Sequence, residues 1–414
     1  MPTYHEDGYR SAMLGDRRRQ VAPTDPATMY ARGGIAARVI DIPADMAVSR
    51  GVEIKGDDKR VIMDELDRLD VMGSLADAIR WSSLDGAAAL LLLTDTGELA
   101  DPLPDNVGRI TEIRVIEYSQ LSVAPGGYYD DPRDPTYGQP EVYHVRPLIT
   151  GNYAGTGYFE AHESRLLPVP GEPLPARLKV GKSVPWAGRP SADAAYHTIN
   201  RYERALTLAL EVLKRKQQAV HKMDGLAELI QNGQENLVRQ RVDLVDDVRS
   251  LMNGVAVDAE DDYQVYDLNV SGIKDLIAEF QVAVSADSGI PVTSLFMQSA
   301  GGLNNTGEND TDNLYNLVEG IQKTRAQPAL ERLVDAITRQ SGVSAPSDWS
   351  IHWPSLWTPT EKEQAEIRAN NAKAARDEAE ARKVDFETGS VSERELRDHM
   401  EREGMYGLEA LDDA

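Results

Sequence analysis

The stretch Val180-Gly181-Lys182-Ser183 has the residue types of a phosphate-binding loop, where backbone N–H groups and a lysine cradle a polyphosphate. That motif needs a glycine five residues before Gly181, and the position holds Ala176. The spacing predicts a loop ahead of a long helix instead. A second stretch, "SGIPVTSLFMQSAGGLNNTGENDTDNLYN" from Ser288 to Asn316, falls from an apolar segment into a glycine-bearing loop and then resumes a helical pattern. Glycine turns that open helices bind phosphate when a basic side chain joins the backbone donors. From Asp275 to Gln322 the chain carries Asp275, Glu279, Asp287, Glu308, Asp310, Asp312 and Glu319 but no Lys or Arg. Carboxylates in a first helical turn satisfy its positive end and repel phosphate, so charge argues against a nucleotide here.

Other chemistry is excluded more quickly. There is no cysteine, which removes disulfides, thiolate catalysis and cysteine zinc sites. His5, His144, His162, His197, His221, His352 and His399 stand singly, without metal-ligand spacing. Asp258, Glu260, Asp261 and Asp262 lack the alternating ligands and central glycine of an EF-hand and predict a solvated turn. No nucleophile, base and oxyanion donor come together, so no catalytic residue, metal ligand or cofactor is assigned. Lys214, Arg215, Lys216 and Lys222 lie at the end of a long helical pattern. They fit a helix C-terminus complementing its dipole, or a charged docking face if many copies assemble.

The elements that must position these groups follow from periodicity. Residues 1–26 are polar and proline-bearing and predict a loose arm. From 27 to about 95 the pattern is mostly helical and ends in "AAALLLL" at 87–93, a buried strand between Asp85-Gly86 and Asp95-Thr96-Gly97. Residues 110–170 read as strands broken by Gly, Pro and Asp turns. A helix is expected from about Ser191 towards Lys222, with Leu206, Leu210 and Leu213 on one face. A helix-like segment and two strand-like pieces around 254–268 follow, then the helix leading into the loop. After it, Leu314, Leu317, Val318 and Ile321 form a stripe that Leu330, Leu333, Val334 and Ile337 repeat, and Pro328 predicts a kink between them. The C-terminal part reads as a charged, alanine-rich helix and a capping box at Ser392 and Glu395.

The chain has 414 residues and a net charge of −24, from 68 acids against 44 bases. Such a balance opposes tight, salt-driven binding to DNA, though not passing contact with it. No signal peptide is visible and the longest apolar run is too short to span a bilayer. A soluble protein of a reducing compartment is expected.

The loop segment resembles the portal proteins of tailed bacteriophages. There a helix ends in Gly-Ile-Pro, a loop follows, and Thr-Gly-Glu opens the next helix. "QPALERLVDAI" at 327–337, "FETGSVSERELRDHM" at 386–400 and "ARGGIAARVIDIPADMAVSRGVEI" at 31–54 are similar too. The resemblance implies an α+β, portal-type subunit with an α/β wing, long stem helices, a small clip and an α-helical C-terminal crown. Carried onto this chain, 1–26 is a flexible arm, 27–194 wing, 195–222 and 269–290 stem helices, and 223–268 clip. Residues 291–340 become the tunnel loop and kinked channel helix, and 341–414 the crown. It implies a ring, usually of twelve copies, at one vertex of a virion, assembled in the host bacterial cytoplasm. Double-stranded DNA would pass through it non-specifically. The other implied partners are the terminase large subunit, major capsid or scaffolding protein and a head–tail adaptor, with no membrane, no cofactor and no enzymatic activity. The expected channel-lining residues are Gln298, Ser299, Gly301, Gly302, Asn304, Asn305, Thr306 and Glu308. Some family members carry a further C-terminal phosphodiesterase with two His-x-Thr/Ser motifs. Only His162-Glu163-Ser164 fits that pattern here, so this module is expected to be absent. An anti-defence cyclic-nucleotide phosphodiesterase and a non-portal head-assembly adaptor remain the alternatives.

Overall fold

The computed structural model describes residues 25–57, 59–147, 157–215, 217–222, 230–234, 236–240, 243, 262–267, 272–298, 307–343, 346, 348–357 and 361–387. The chain divides into two units, Met1–Pro354 and Ser355–Ala414.

The first unit opens with helices α1 (Pro26–Ala31) and α2 (Gly34–Val48) and strand β1 (Glu53–Lys55). Helix α3 (Val61–Arg68) starts where the buried Asp57 carboxylate accepts the N–H groups of Val61, Ile62 and Met63 at 2.8, 2.8 and 3.0 Å. Three donors that a helix start leaves unpaired are thereby satisfied by one side chain. Helix α4 (Val71–Asp85) then runs into β2 (Ala87–Thr94). Strands β3 (Ile110–Glu117), β4 (Leu121–Val123), β5 (Val142–Val145), β6 (Phe159–His162) and β7 (Leu166–Pro170) follow.

Two antiparallel sheets form, in the orders β3-β2-β7 and β4-β5-β6. Central β2 is apolar without alternation because both of its faces are covered: Ala87 to Leu92 are each 0–1% exposed. Ala87, Ala89 and Leu91 point into a cluster with Leu121, Tyr143, Val145 and Ala161 of the second sheet. The opposite face lies against α4. Helix, sheet and sheet thus stack around one strand, and the α+β body expected from the sequence is present. Pro168 and Pro170 fall on edge strand β7, where a missing N–H does least harm.

Gly86 ends α4 with φ +90° and its carbonyl accepts two N–H groups, from Gly171 and Gly188, both at 2.8 Å. Three chain segments meet here without side chains between them. A Cβ on Gly86 would stand 2.6 Å from the Gly188 carbonyl oxygen, and one on Gly171 2.5 Å from that of Arg189. From this crossing the chain makes an excursion through α5 (Ala176–Lys179), which holds the Val180–Ser183 stretch in a loop. It returns into α6 (Asp193–Arg215).

Helix α6 is shorter than its sequence suggested. It ends at Arg215, and β8 (Gln217–Lys222) pairs antiparallel with β9 (Asp262–Asp267), Lys222 opposite Asp262. The cross-strand ladder satisfies the backbone groups that a continued helix would have used. Helix α7 (Ile273–Ser288) returns antiparallel against α6, joined by Thr198 Oγ1 donating to Asp287 Oδ2 at 2.5 Å. Short α8 (Val292–Phe296), then α9 (Glu308–Ile321), a π-turn (Gln322–Ala326) and α10 (Gln327–Thr338) complete the helical part. Strand β10 (Ser350–His352) returns to pair with β1, Glu53 opposite His352. In the second unit, α11 (Glu361–Glu387) is the charged, alanine-rich helix expected. Residues 1–24, most of 223–261 and the Ser392–Glu395 capping box lie outside the described residues.

Candidate functional site

The loop that opened the question has a defined neck. Helix α7 stops at Gly289, which takes φ +71° and returns its N–H to the Ser285 carbonyl. Pro291 opens α8, whose last carbonyls would be unpaired. Arg38 on α2 fills that need, donating from Nη2 to the Ser294 carbonyl at 2.7 Å and from Nε to that of Leu295 at 2.9 Å. Phe296 meets Tyr202 of α6 edge-to-face at 5.8 Å. The far side of the neck is tied by Thr293 Oγ1 donating to Asp310 Oδ2 at 2.9 Å. Gln298, exposed, donates to Gln281 of α7 at 2.9 Å. Of the expected lining residues, Gln298 is therefore at the neck. The backbone of Glu308 begins α9, and Ser299, Gly301, Gly302, Asn304, Asn305 and Thr306 lie outside the described residues.

Beyond the neck, α9 separates two faces. Leu314, Val318 and Ile321 are buried, as the stripe predicted, and so are Leu330, Leu333, Val334 and Ile337 of α10. Asn309, Asp312, Asn313, Asn316, Glu319 and Gly320 are exposed. This free face is amide and carboxylate, with no base before Lys323.

The kink expected at Pro328 takes the form of the π-turn. Proline has no N–H to return to the preceding turn, and the backbone widens so that the Gln327 N–H reaches the Gln322 carbonyl, five residues back. The widening also turns two polar side chains inward. Gln322, 4% exposed, donates to the Ala47 carbonyl at 2.7 Å. Arg325, 6% exposed, donates from Nη1 to Ser83 Oγ at 3.0 Å, with Glu172 Oε1 3.9 Å from its Nη2. Burial lowers the Arg325 pKa and the Glu172 charge opposes that. Farther on, Arg332 reaches the Glu163 carbonyl at 3.1 Å, and Gln340 Oε1 accepts the Ile110 N–H at 2.8 Å. The broken helix is strapped to the α+β body along its length. Sequence reasoning missed Arg38, Gln322 and Arg325. The last two left a signal, since they are polar residues falling on an apolar helical stripe.

His162 serves the fold. It is buried, its Nδ1 accepts the Ser164 N–H at 3.1 Å and lies 2.8 Å from Ser164 Oγ, capping a single helical turn. Burial lowers its pKa, holding it neutral. Its own Nε2 and the Nη2 of wholly buried Arg165 have no hydrogen-bond partner among the described residues. No group of three His, Cys, Asp or Glu side chains among those residues could hold a metal ion. No helix among them is long and apolar enough to cross a membrane. For Lys214, Arg215 and Lys222 the backbone alone is described, at the end of α6 and of β8, and Lys216 lies outside.

The family model for phage portal protein matches residues 25–377. The chain belongs to the phage portal protein family. The fold of this portal-family chain is also that of chains in a gene transfer agent particle. One in the native virion has a TM-score of 0.55 at 14% identity, covering 93% of this chain and 94% of that one. One in the native neck, computed with C12 symmetry, has a TM-score of 0.53 at 14% identity and covers 91% and 93%. Among curated proteins, an uncharacterized protein of Haemophilus influenzae Rd is 28% identical over 84% of this chain and 74% of its own length. The Anti-CBASS protein Acb1 of Caulobacter sp. RHG1 is 27% identical over 86% of this chain. That of Sphingomonas paeninsulae is 24% identical over 83%. The portal-family chain spans 58% and 56% of those two proteins.

Proposed function

We propose that this chain is the subunit of a portal ring in a virion, conducting double-stranded DNA during packaging and ejection without catalysing a reaction. In this reading the α6–α7 hairpin is the stem, the region around β8 and β9 the clip, and α9 to α10 the channel helix. Terminase and then a head–tail adaptor would dock at the clip, and capsid or scaffolding protein around the wing. One observation carries it: the exposed face of α9, from Asn309 to Gly320, is amide and acid without a base, on a helix whose continuation through the π-turn is hydrogen-bonded to the body by Gln322 and Arg325. A conduit must let DNA slide. Lysines or arginines there would exchange counterions with each phosphate and hold it.

Negative-stain microscopy of the purified chain is expected to show rings with a central hole. Asn313→Lys with Asn316→Lys is expected to leave the rings intact and slow DNA passage in a packaging assay. Packaging at the wild-type rate with both lysines present refutes the sliding-surface reading. The two Acb1 relatives favour a second reading, an anti-defence cyclic-nucleotide phosphodiesterase. Turnover of a cyclic dinucleotide abolished by His162→Ala, in a variant that still folds, would establish it. A head-assembly adaptor is favoured if capsid protein co-purifies and no channel-sized ring forms.

A further inference from the structure

The helical turn between β6 and β7 carries two buried donors without an acceptor. His162 Nδ1 accepts the Ser164 N–H, so the proton of the neutral ring sits on Nε2. Arg165 donates from Nε to the Asp101 carbonyl at 3.0 Å and from Nη1 to Thr94 Oγ1 at 2.8 Å, which leaves Nη2. Nε2 and Nη2 are shielded from water, and neither has a hydrogen-bond partner among the described residues. The guanidinium charge acts on the His162 ring, which places the two side chains near each other.

Charge sharpens the need. Arg165 is wholly buried, yet its hydrogen bonds end on a carbonyl and a hydroxyl, both neutral. The carboxylate whose charge reaches it belongs to Asp101, an exposed residue that holds Arg165 through its backbone. Glu163 and Glu141 act on the His162 ring, but Glu163 is paired with Arg332 at 3.2 Å. A guanidinium keeps its proton, so burial calls for a negative partner.

Gly97 faces the same spot. It takes φ +78°, and a Cβ there would stand 2.9 Å from Arg165 Nη2, the distance of a hydrogen-bonded acceptor. The loop that carries it, from Asp95 to Leu103, is laced over the turn. The His162 N–H donates to the Leu99 carbonyl and the Leu103 N–H to Ser164 Oγ, both at 2.8 Å.

We propose that a monatomic anion, chloride in physiological solution, binds between Arg165 Nη2 and His162 Nε2 beneath the Gly97 turn. A water there would satisfy the donors and leave the charge. Phosphate or sulfate would bury oxygens for which two donors are too few. The ion fastens the Asp95–Leu103 loop to the β6–β7 turn and enters as that loop opens. The loop runs on to Val107, which accepts the Ser341 N–H at 2.9 Å and donates to the Arg339 carbonyl at 3.0 Å, just past α10. The site stands independently of the portal reading.

The full chain in sodium gluconate is titrated with sodium chloride or bromide at constant ionic strength. Amide exchange at 95–103 is expected to slow with either halide, about tenfold for each tenfold rise in concentration above half-saturation. The melting temperature should rise in parallel. Arg165→Gln is expected to abolish the response. Should that variant fail to fold, Gly97→Ala decides, because its Cβ takes the place of the ion and should abolish the response in a chain that folds in gluconate. Equal exchange in gluconate, chloride and bromide for the wild type overturns the proposal. So does a halide response that Gly97→Ala retains in full, which marks a general salt effect.

Discussion

Arg325 Nη1 donates to Ser83 Oγ at 3.0 Å, and the carbonyl of the same serine accepts the N–H of Ala192, just ahead of α6. One residue at the end of α4 thus holds the π-turn and the start of the hairpin together. Arg325→Ala is expected to cost about 3 kcal/mol in urea unfolding, because it removes a buried, paired cation and leaves Ser83 without its donor. Ser83→Ala should cost about 1 kcal/mol.

Two glycines should respond to alanine with opposite signs. A Cβ on Gly188 would collide with the Glu172 carbonyl oxygen and the Gly171 backbone, so Gly188→Ala is expected to lose about 2–3 kcal/mol. Gly320, in α9, has nothing within 4 Å of an added Cβ. Gly320→Ala should gain about 0.5–1 kcal/mol from helix propensity. Thermal melts of the two variants decide the matter.

Asp85 gives a pH signature. Burial, then the charges of Glu117 and Asp25, raise its pKa from 3.8 to about 6. The folded state therefore holds this proton more tightly than the unfolded one. Stability from this group is greatest below the unfolded value of 3.8 and declines as pH rises to about 6. Asp85→Asn should flatten that segment of the stability–pH curve. At pH 8 it should stabilise the protein by about 1 kcal/mol, discounted for the group's partial solvation.

Arg38 is expected to act locally. Arg38→Ala frees the Ser294 and Leu295 carbonyls, and amide exchange at 294–297 should speed up at least several-fold while the melting of the β2 sheet stays unchanged. Uniform acceleration across the body would show that the guanidinium supports the whole fold.

Periodicity was enough to place the buried strand at 87–93, the stripes of α9 and α10 and the break near Pro328. Each is a repeating pattern whose cause lies within a few residues. The end of α6 was not legible, because β8 exists only through its pairing with β9, forty residues away; the strand-like pattern around 254–268 was visible but its partner was not. Arg38 was hidden for the same reason. Its hydrogen bonds span 256 and 257 positions, and nothing in its neighbourhood distinguishes it from a surface arginine. The lining residues chosen in the loop were a matter of charge pattern, and α9 carries that pattern onward on a face the sequence alone did not separate.

The triple-glycine crossing has a practical corollary. Gly171 and Gly188 are both hydrogen-bonded to Gly86, and their neighbours Glu172 and Arg189 pair beside them. The excursion between them is a loop whose two ends are already fastened, with Val180 84% exposed at its tip. Lengthening such a loop costs only a few tenths of a kcal/mol for each modest increment, since closure entropy grows with the logarithm of length. The tip at 180–181 is therefore a natural port for grafting a peptide tag or a small domain, displayed outward while the crossing beneath it stays shut.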